Sequence, residues 1–181
     1  VDLPGLRREG LVKKDAGRVD GRVAVAPVDR GELLDGVLEG EGLGREQVLK
    51  DRLKGSIEHY DYVVIDCPPS LGLLTLNALT AADSLLIPMQ CEYYAMEGLA
   101  QLMNTFELVR RSLNPSLQVE GVLLTMFDGR NNLNNQVQAE IRSHFGDRVF
   151  QSTIPRNITL AEAPSHGKPA VFYDAVSKGA Q

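Results

Sequence analysis

Asp66 stands at the end of an apolar run, Tyr62-Val63-Val64-Ile65, and is followed by Cys67-Pro68-Pro69-Ser70-Leu71-Gly72. Four β-prone residues leading into a carboxylate put that carboxylate at the carboxyl end of a buried parallel strand. A hard cation such as magnesium takes oxygen ligands, often through water, so an aspartate there suits a nucleotide hydrolase. Two prolines stiffen the segment behind it and Gly72 leaves one flexible end. Pro68, Pro69, Ser70 and Gly72 are therefore a candidate switch, able to report a γ-phosphate. The plainer reading is an aspartate that ends a strand or caps the next helix.

A second candidate runs from Ile154-Pro155-Arg156-Asn157 to Pro164. A proline-bounded turn after a strand can offer backbone groups and a flat apolar surface to a base. Read plainly, Pro155 ends the strand and Asn157 caps a short helix. A third is Asp128-Gly129-Arg130-Asn131-Asn132. Arg130 there follows a strand and precedes a helix whose amino end can face an anion. Arg110, Arg111, Arg142, Arg148, Arg156 and Lys168 are further cations that could contribute to a basic surface. The ordinary fate of such residues is solvated surface charge. Cys67 and Cys91 read as small core residues. His59, His144 and His166 show no zinc spacing. Tyr93-Tyr94 reads as packing at a strand-to-helix junction, with a dimer contact as the other reading.

The elements that must position these residues follow from periodicity. Arg22 to Ala26 reads as a short strand stopped by Pro27, within a loop-rich segment 1–44 punctuated by glycines. Val48, Leu49, Leu53 and Ile57 share one helical face. Leu73 to Ala82 reads as a helix and Ser84 to Pro88 as a second buried strand. Leu99, Leu102, Met103, Phe106 and Val109 give a long amphipathic helix that ends before Asn114-Pro115. Val119 to Met126 reads as a strand and Leu133, Val137, Ile141 and Phe145 as the next helix. Val149 to Ile154 is a fourth strand, followed by a short helix over Thr159 to Ala163. One helix between successive strands predicts an α/β domain with a parallel sheet. Ligands of such sheets sit at the carboxyl ends of the strands.

Composition limits the alternatives. At 181 residues, 43% hydrophobic and 24% charged, the chain is long enough for one domain with a sizeable core. Collagen-like, fibrous and wholly disordered classes are excluded. No apolar run approaches the ~20 residues of a membrane-spanning helix, and no basic-then-apolar signal peptide opens the sequence. Two cysteines outside any C-x-x-C pair fit a reducing cytoplasm. A net charge of −5 argues against coating nucleic acid by bulk charge. It leaves room for a local basic patch, or one completed by a second subunit.

The segment Asp61-Tyr62-Val63-Val64-Ile65-Asp66-Cys67-Pro68-Pro69-Ser70-Leu71-Gly72 resembles the Walker B and switch II region of the ParA/Soj partition ATPases, within the deviant-Walker group that includes MinD. The resemblance continues through Leu73 to Leu79, Pro88 to Ala95, Gly121 to Asp128, Ile154 to Asn157 and Glu162-Ala163-Pro164-Ser165-His166-Gly167-Lys168-Pro169. It covers residues 45–181, in the right order.

The resemblance implies a doubly wound, mostly parallel sheet flanked by helices, as in the P-loop NTPases. It implies ATP and Mg2+ as cofactors, with Asp66 as catalytic carboxylate and magnesium holder. Thr125, Met126, Pro155, Arg156, Asn157 and Pro164 would lie around the base, and Arg130 would contact DNA. It further implies a homodimer with ATP sandwiched between subunits, bound to nonspecific DNA. A ParB/Spo0J-like centromere-binding partner would stimulate hydrolysis, and the protein would be cytoplasmic and nucleoid-associated, with no membrane.

One departure is plain. The sequence contains no G-x-x-x-x-G-K-[ST]; its only Gly-Lys, Gly167-Lys168, is followed by Pro169. A phosphate loop supplies backbone N–H groups and a lysine to neutralise the phosphates. The family's Asp-Pro-Gln-Gly switch I setting is absent too. Expected, then, is an ATPase domain over 45–181 that lacks its amino-terminal strands and does not hydrolyse ATP alone. The other readings are a non-catalytic ParA-like binding module and a MinD-like ATPase. The MinD-like reading needs a carboxyl-terminal amphipathic helix. An Mrp-like carrier would need a C-x-x-C pair.

Overall fold

The computed structural model describes residues 23–27, 44–55, 57, 60–67 and 72–181. Most of the loop-rich segment 1–44, His59, and Pro68 to Leu71 lie outside the described residues. The chain divides into two compact units, residues 1–83 with 105–117, and residues 84–104 with 118–181.

In the first unit, β1 (Val23–Pro27) and β2 (Tyr62–Asp66) pair in parallel, from Val23 opposite Tyr62 to Pro27 opposite Asp66. Pro27 is thus the last residue of β1 and not the residue after it. Residues Tyr62 to Asp66 form the strand expected of them, but it is not buried. Tyr62 and Val64 are about half exposed and Val63 and Ile65 half-buried. A parallel strand is buried on both faces only where helices cover both, and the face bearing Tyr62 and Val64 is open.

Helix α1 (Val48–Leu53) is shorter than the apolar spacing predicts. Gly55 turns left-handed at φ +76°, and Ile57 falls in a bend beyond it, exposed. Helix α2 (Leu73–Ala81) follows Gly72, its extended N-cap. Asn77, fully buried on α2, accepts from the Leu49 N–H at 3.1 Å and donates to Arg45 O at 2.8 Å and Leu73 O at 3.0 Å. Two of its three bonds join α2 to the start of α1, and a buried amide is tolerable because it is satisfied. Asn114 does similar work from the other side, donating to Leu79 O at 3.0 Å and Ala82 O at 2.7 Å. Phe106, Val109 and Leu117 are the buried apolar residues of the 105–117 segment.

The second unit holds a three-stranded parallel sheet in the order β3 (Ser84–Gln90), β4 (Gln118–Phe127), β5 (Val149–Pro155). Parallel neighbours need a crossover. Helix α3 (Ala95–Ser112) makes the first, with its residues from Thr105 onward counted in the first unit, and α4 (Asn132–Phe145) makes the second. Two short helices follow β5, α5 (Ile158–Glu162) and α6 (Ala170–Tyr173).

The core gathers Ile87 and Met89 of β3, Leu99 of α3, Val122 and Leu124 of β4, Val137 and Ile141 of α4, and Val149. β3 alternates, with Leu86 and Pro88 turned out, where the apolar run predicts a strand buried throughout. Gly121 is required on β4, since a Cβ there would sit 2.6 Å from the Phe150 ring and 2.7 Å from Arg148 O.

Leu124 is fully buried between β3 and β5, so Leu124→Ala is expected to cost about 2–5 kcal/mol in urea unfolding. Ile158→Ala, at a residue 77% exposed, is expected to stay within about 0.5 kcal/mol.

Candidate functional site

The carboxyl ends of the three strands of the second unit form one edge. Gln90 pairs with Thr125 and Phe127 with Pro155, and the Arg156 N–H donates to Phe127 O at 3.2 Å. Thr125, Met126, Pro155, Arg156 and Asn157, singled out in sequence, are therefore brought to the same edge. Met126 adopts φ +50°, the one non-glycine positive φ among the described residues, and the β4–β5 register shifts between Leu124 and Phe127. A bulky side chain in that region is strained, and such strain gathers at functional sites.

Asn157 occupies the N-cap position of α5, but its side chain makes no capping bond there. The expected side-chain cap is thus not made. Its Oδ1 is buried and has no hydrogen-bond partner. Buried acceptors are nearly always satisfied, so this unpartnered oxygen marks a place at the edge where a donor is missing. Pro164 lies further on, exposed, in the 3-10 turn Ala163–His166.

The loop after β4 is built around Asp128. Its carboxylate accepts three bonds from Arg130. The backbone N–H and Nε reach Oδ1 at 3.1 and 3.0 Å, and a terminal guanidinium nitrogen reaches Oδ2 at 3.0 Å. Asn134, buried on the first turn of α4, accepts from the Asp128 N–H at 2.9 Å and donates to Cys91 O at 2.8 Å. It thereby ties the ends of β3 and β4 together. Asn131 caps α4 by accepting from the Leu133 N–H at 2.9 Å, and Asn135 donates to Gly129 O at 2.9 Å. The hydrogen bonds from Arg130 hold the Asp128 carboxyl down at about 2 and push the guanidinium up.

An open cleft of about 450 Å³ lies beside this loop, lined among others by Glu92, Tyr94, Asp128, Asn134 and Arg156. Tyr93 and Tyr94 sit at the β3-to-α3 junction as expected, yet do not pack inward. They are three-quarters exposed and meet each other edge to face at 5.3 Å. Several of the cations proposed for a basic surface are already engaged. In the first unit Arg110 pairs with Glu107 at 3.2 Å and lies over the Phe106 ring. In the second, Arg142 donates to Phe150 O at 3.1 Å and Arg156 lies 3.9 Å from Glu92.

In the first unit, Asp66 is exposed at the carboxyl end of β2 and Gly72 starts α2. Pro68, Pro69 and Ser70 lie outside the described residues. Cys67 is exposed, against the expectation of a core residue, because it follows the strand's last residue; Cys91 is buried. Sequence reasoning missed Asn134 and the role of Asp128. The readable signal was an aspartate two before an arginine just past a strand, a spacing at which one carboxylate can take both the i+2 N–H and the side chain.

Comparison with known proteins places the chain. The family described as AAA domain matches residues 34–119. The sporulation initiation inhibitor protein Soj of Bacillus subtilis is 58% identical over 139 residues, covering 77% of this chain and 55% of that protein. The chromosome partitioning protein ParA of Myxococcus xanthus is 58% identical over 137 residues, covering 76% of this chain and 48% of that one. The chain is a ParA/Soj homologue. It spans about half the length of the curated relatives it matches. Among solved structures, the cobyrinic acid a,c-diamide synthase of Mycobacterium smegmatis with bound ATP analogue and magnesium superposes with a TM-score of 0.65. The two are 36% identical, and the match covers 80% of this chain and 52% of that one. The expected α/β class with parallel strands and crossover helices holds for this ParA/Soj homologue. No described helix is long and apolar enough to cross a membrane.

The Asp128 carboxyl of this homologue is expected to titrate near 2, against an ordinary value of 3.8. Because the folded value is the lower one, the pair's stabilisation is complete above the unfolded value and disappears as pH falls through about 2. Carboxyl-carbon NMR should show that midpoint, and Arg130→Ala should return it toward the ordinary range.

Proposed function

We propose that this chain forms the magnesium-, base- and DNA-facing portion of a ParA/Soj-type partition ATPase. The observation that carries the reading is the 58% identity to Soj over 139 residues, in a chain that keeps a strand-end aspartate and a strained, unsatisfied strand edge.

The residues fit the cofactors. Asp66 offers one exposed carboxylate at the end of a parallel strand. Magnesium keeps most of its waters and shares few protein carboxylates with the phosphates, so one such ligand is enough. When bound, magnesium supplies charge neutralisation on the phosphates. The buried, unpartnered Oδ1 of Asn157 suits an N–H donor such as the exocyclic amine of adenine, brought to it as the edge closes on a base. Thr125, Met126, Pro155, Arg156 and Pro164 supply the surrounding apolar and backbone surface. Pro68, Pro69, Ser70 and Gly72 act as the switch that follows Asp66. Arg130 faces nonspecific DNA in an ATP-dependent homodimer. A ParB/Spo0J-like centromere-binding protein is the partner that stimulates hydrolysis, on the nucleoid in the cytoplasm.

The phosphate-binding loop has no residues in this sequence. The chain by itself is therefore expected to show no ATP turnover. Joined behind the amino-terminal half of Bacillus subtilis Soj, it is expected to hydrolyse ATP, with Asp66→Ala lowering kcat roughly 100-fold or more. Asn157→Ala should raise the Kd for ATP about fivefold by removing one hydrogen bond, with circular dichroism unchanged. Turnover by the chain alone, or turnover indifferent to Asp66→Ala, would refute this account. A well-folded but inactive chimera would favour the non-catalytic binding module, the reading that the missing loop motif supports.

A further inference from the structure

We propose that Asp128 is a built-in restraint on Arg130, holding the Nε edge of its guanidinium so that a DNA phosphate takes that edge only by displacing a carboxylate of the same chain. The inference rests on the reading of Arg130 as a DNA-facing residue.

The Arg130 side chain is 91% exposed, which by itself describes a free cation, yet its Nε/Nη2 edge is occupied. Three bonds of 3.0–3.1 Å run from Arg130 to one carboxylate. Exposed ion pairs usually contribute little, because two long side chains must be ordered to make them. Here one partner is a short aspartate on a fixed backbone. Asn134 accepts from its N–H, the Asn131 N–H donates to its carbonyl at 3.0 Å, and Asn135 holds the next carbonyl. The pair is preorganised, and bidentate guanidinium–carboxylate geometry is the same geometry that a phosphate would use. Carboxylate and phosphate therefore compete for the Nε/Nη2 edge. The depressed titration of Asp128 is consistent with that pairing.

The consequence lies in counterions. A cation that neutralises a phosphate releases about one counterion, and a carboxylate left beside that cation offsets part of its charge, so Arg130 paired with Asp128 adds less than a full cation to the salt dependence. The restraint thus weakens binding by a single protomer.

The test is fluorescence anisotropy of the full chain on a short random-sequence duplex across a salt series. The Arg130 Nε–H resonance is followed during the same titrations. Asp128→Asn is expected to tighten binding about three- to fivefold at low salt and to steepen the log–log salt slope by up to about 1. The gain should vanish in the Asp128→Asn/Arg130→Ala double variant, and thermal melting should show all variants folded. A gain that survives without Arg130 means Asp128 acts only as a repulsive charge, and the restraint is refuted. Equal binding by wild type and Asp128→Asn, including no binding by either, refutes it as well. If the duplex binds while the Arg130 resonance stays in place, the DNA-facing reading itself fails. If that resonance moves equally in both proteins with unchanged affinity, only the restraint fails.

Discussion

Parallel pairing governs the second unit. Two parallel strands cannot be joined by a tight turn, so the chain must return along a helix before the next strand begins. Helices α3 and α4 are that obligation met twice, and Val122 and Leu124 of the central strand are buried because of it. The same constraint sends every strand out at one edge. The loops there carry Glu92, Asp128, Arg130, Arg156 and Asn157, residues scattered over more than sixty positions of sequence. No residue of this set has to be placed individually. The sheet delivers them together, and local hydrogen bonds then set their orientation.

Those local bonds are largely asparagine bonds. Asn77, Asn114 and Asn134 are each buried, and each spends its amide on backbone groups of a distant segment. An apolar residue of the same size would fill the space but would leave backbone groups unpaired, at a cost of about 1–3 kcal/mol for each. Asn157 has its oxygen buried in the same way with nothing to meet it. The contrast separates structural amides, which are hydrogen-bonded, from the one whose oxygen is buried without a donor.

Much of this was legible in sequence. The residues Tyr62 to Asp66 could be read as a strand with its aspartate at the end, and the spacing from Leu99 to Val109 as one face of a long helix. Leu133, Val137, Ile141 and Phe145 gave α4 in the same way. Periodicity reports which residues cannot tolerate water, and these segments have strong periods. It reports poorly on which face is covered. Tyr62, Val64 and Leu86 look like core in the sequence and stand half exposed in the fold. Ile57 keeps a helical spacing beyond a glycine that ends the helix. The polar network was harder still. Asn134 bonds Cys91, 43 residues away, and no local pattern records a contact of that separation. The family resemblance singled out Met126 and Asn157, but not the positive φ of one or the orphaned oxygen of the other.

The two thiols differ in a way that bears on how this protein can be observed. Cys91 is sealed in the core, while Cys67 is an exposed residue adjoining Asp66. Partial burial of the sulfur, and then the charge of Asp66, raise the Cys67 thiol above its ordinary value. Its thiolate, the reactive form, is therefore scarce at neutral pH and grows as the solution is made more alkaline. A maleimide dye would attach there and not at Cys91, placing a reporter directly beside the aspartate without engineering a single residue.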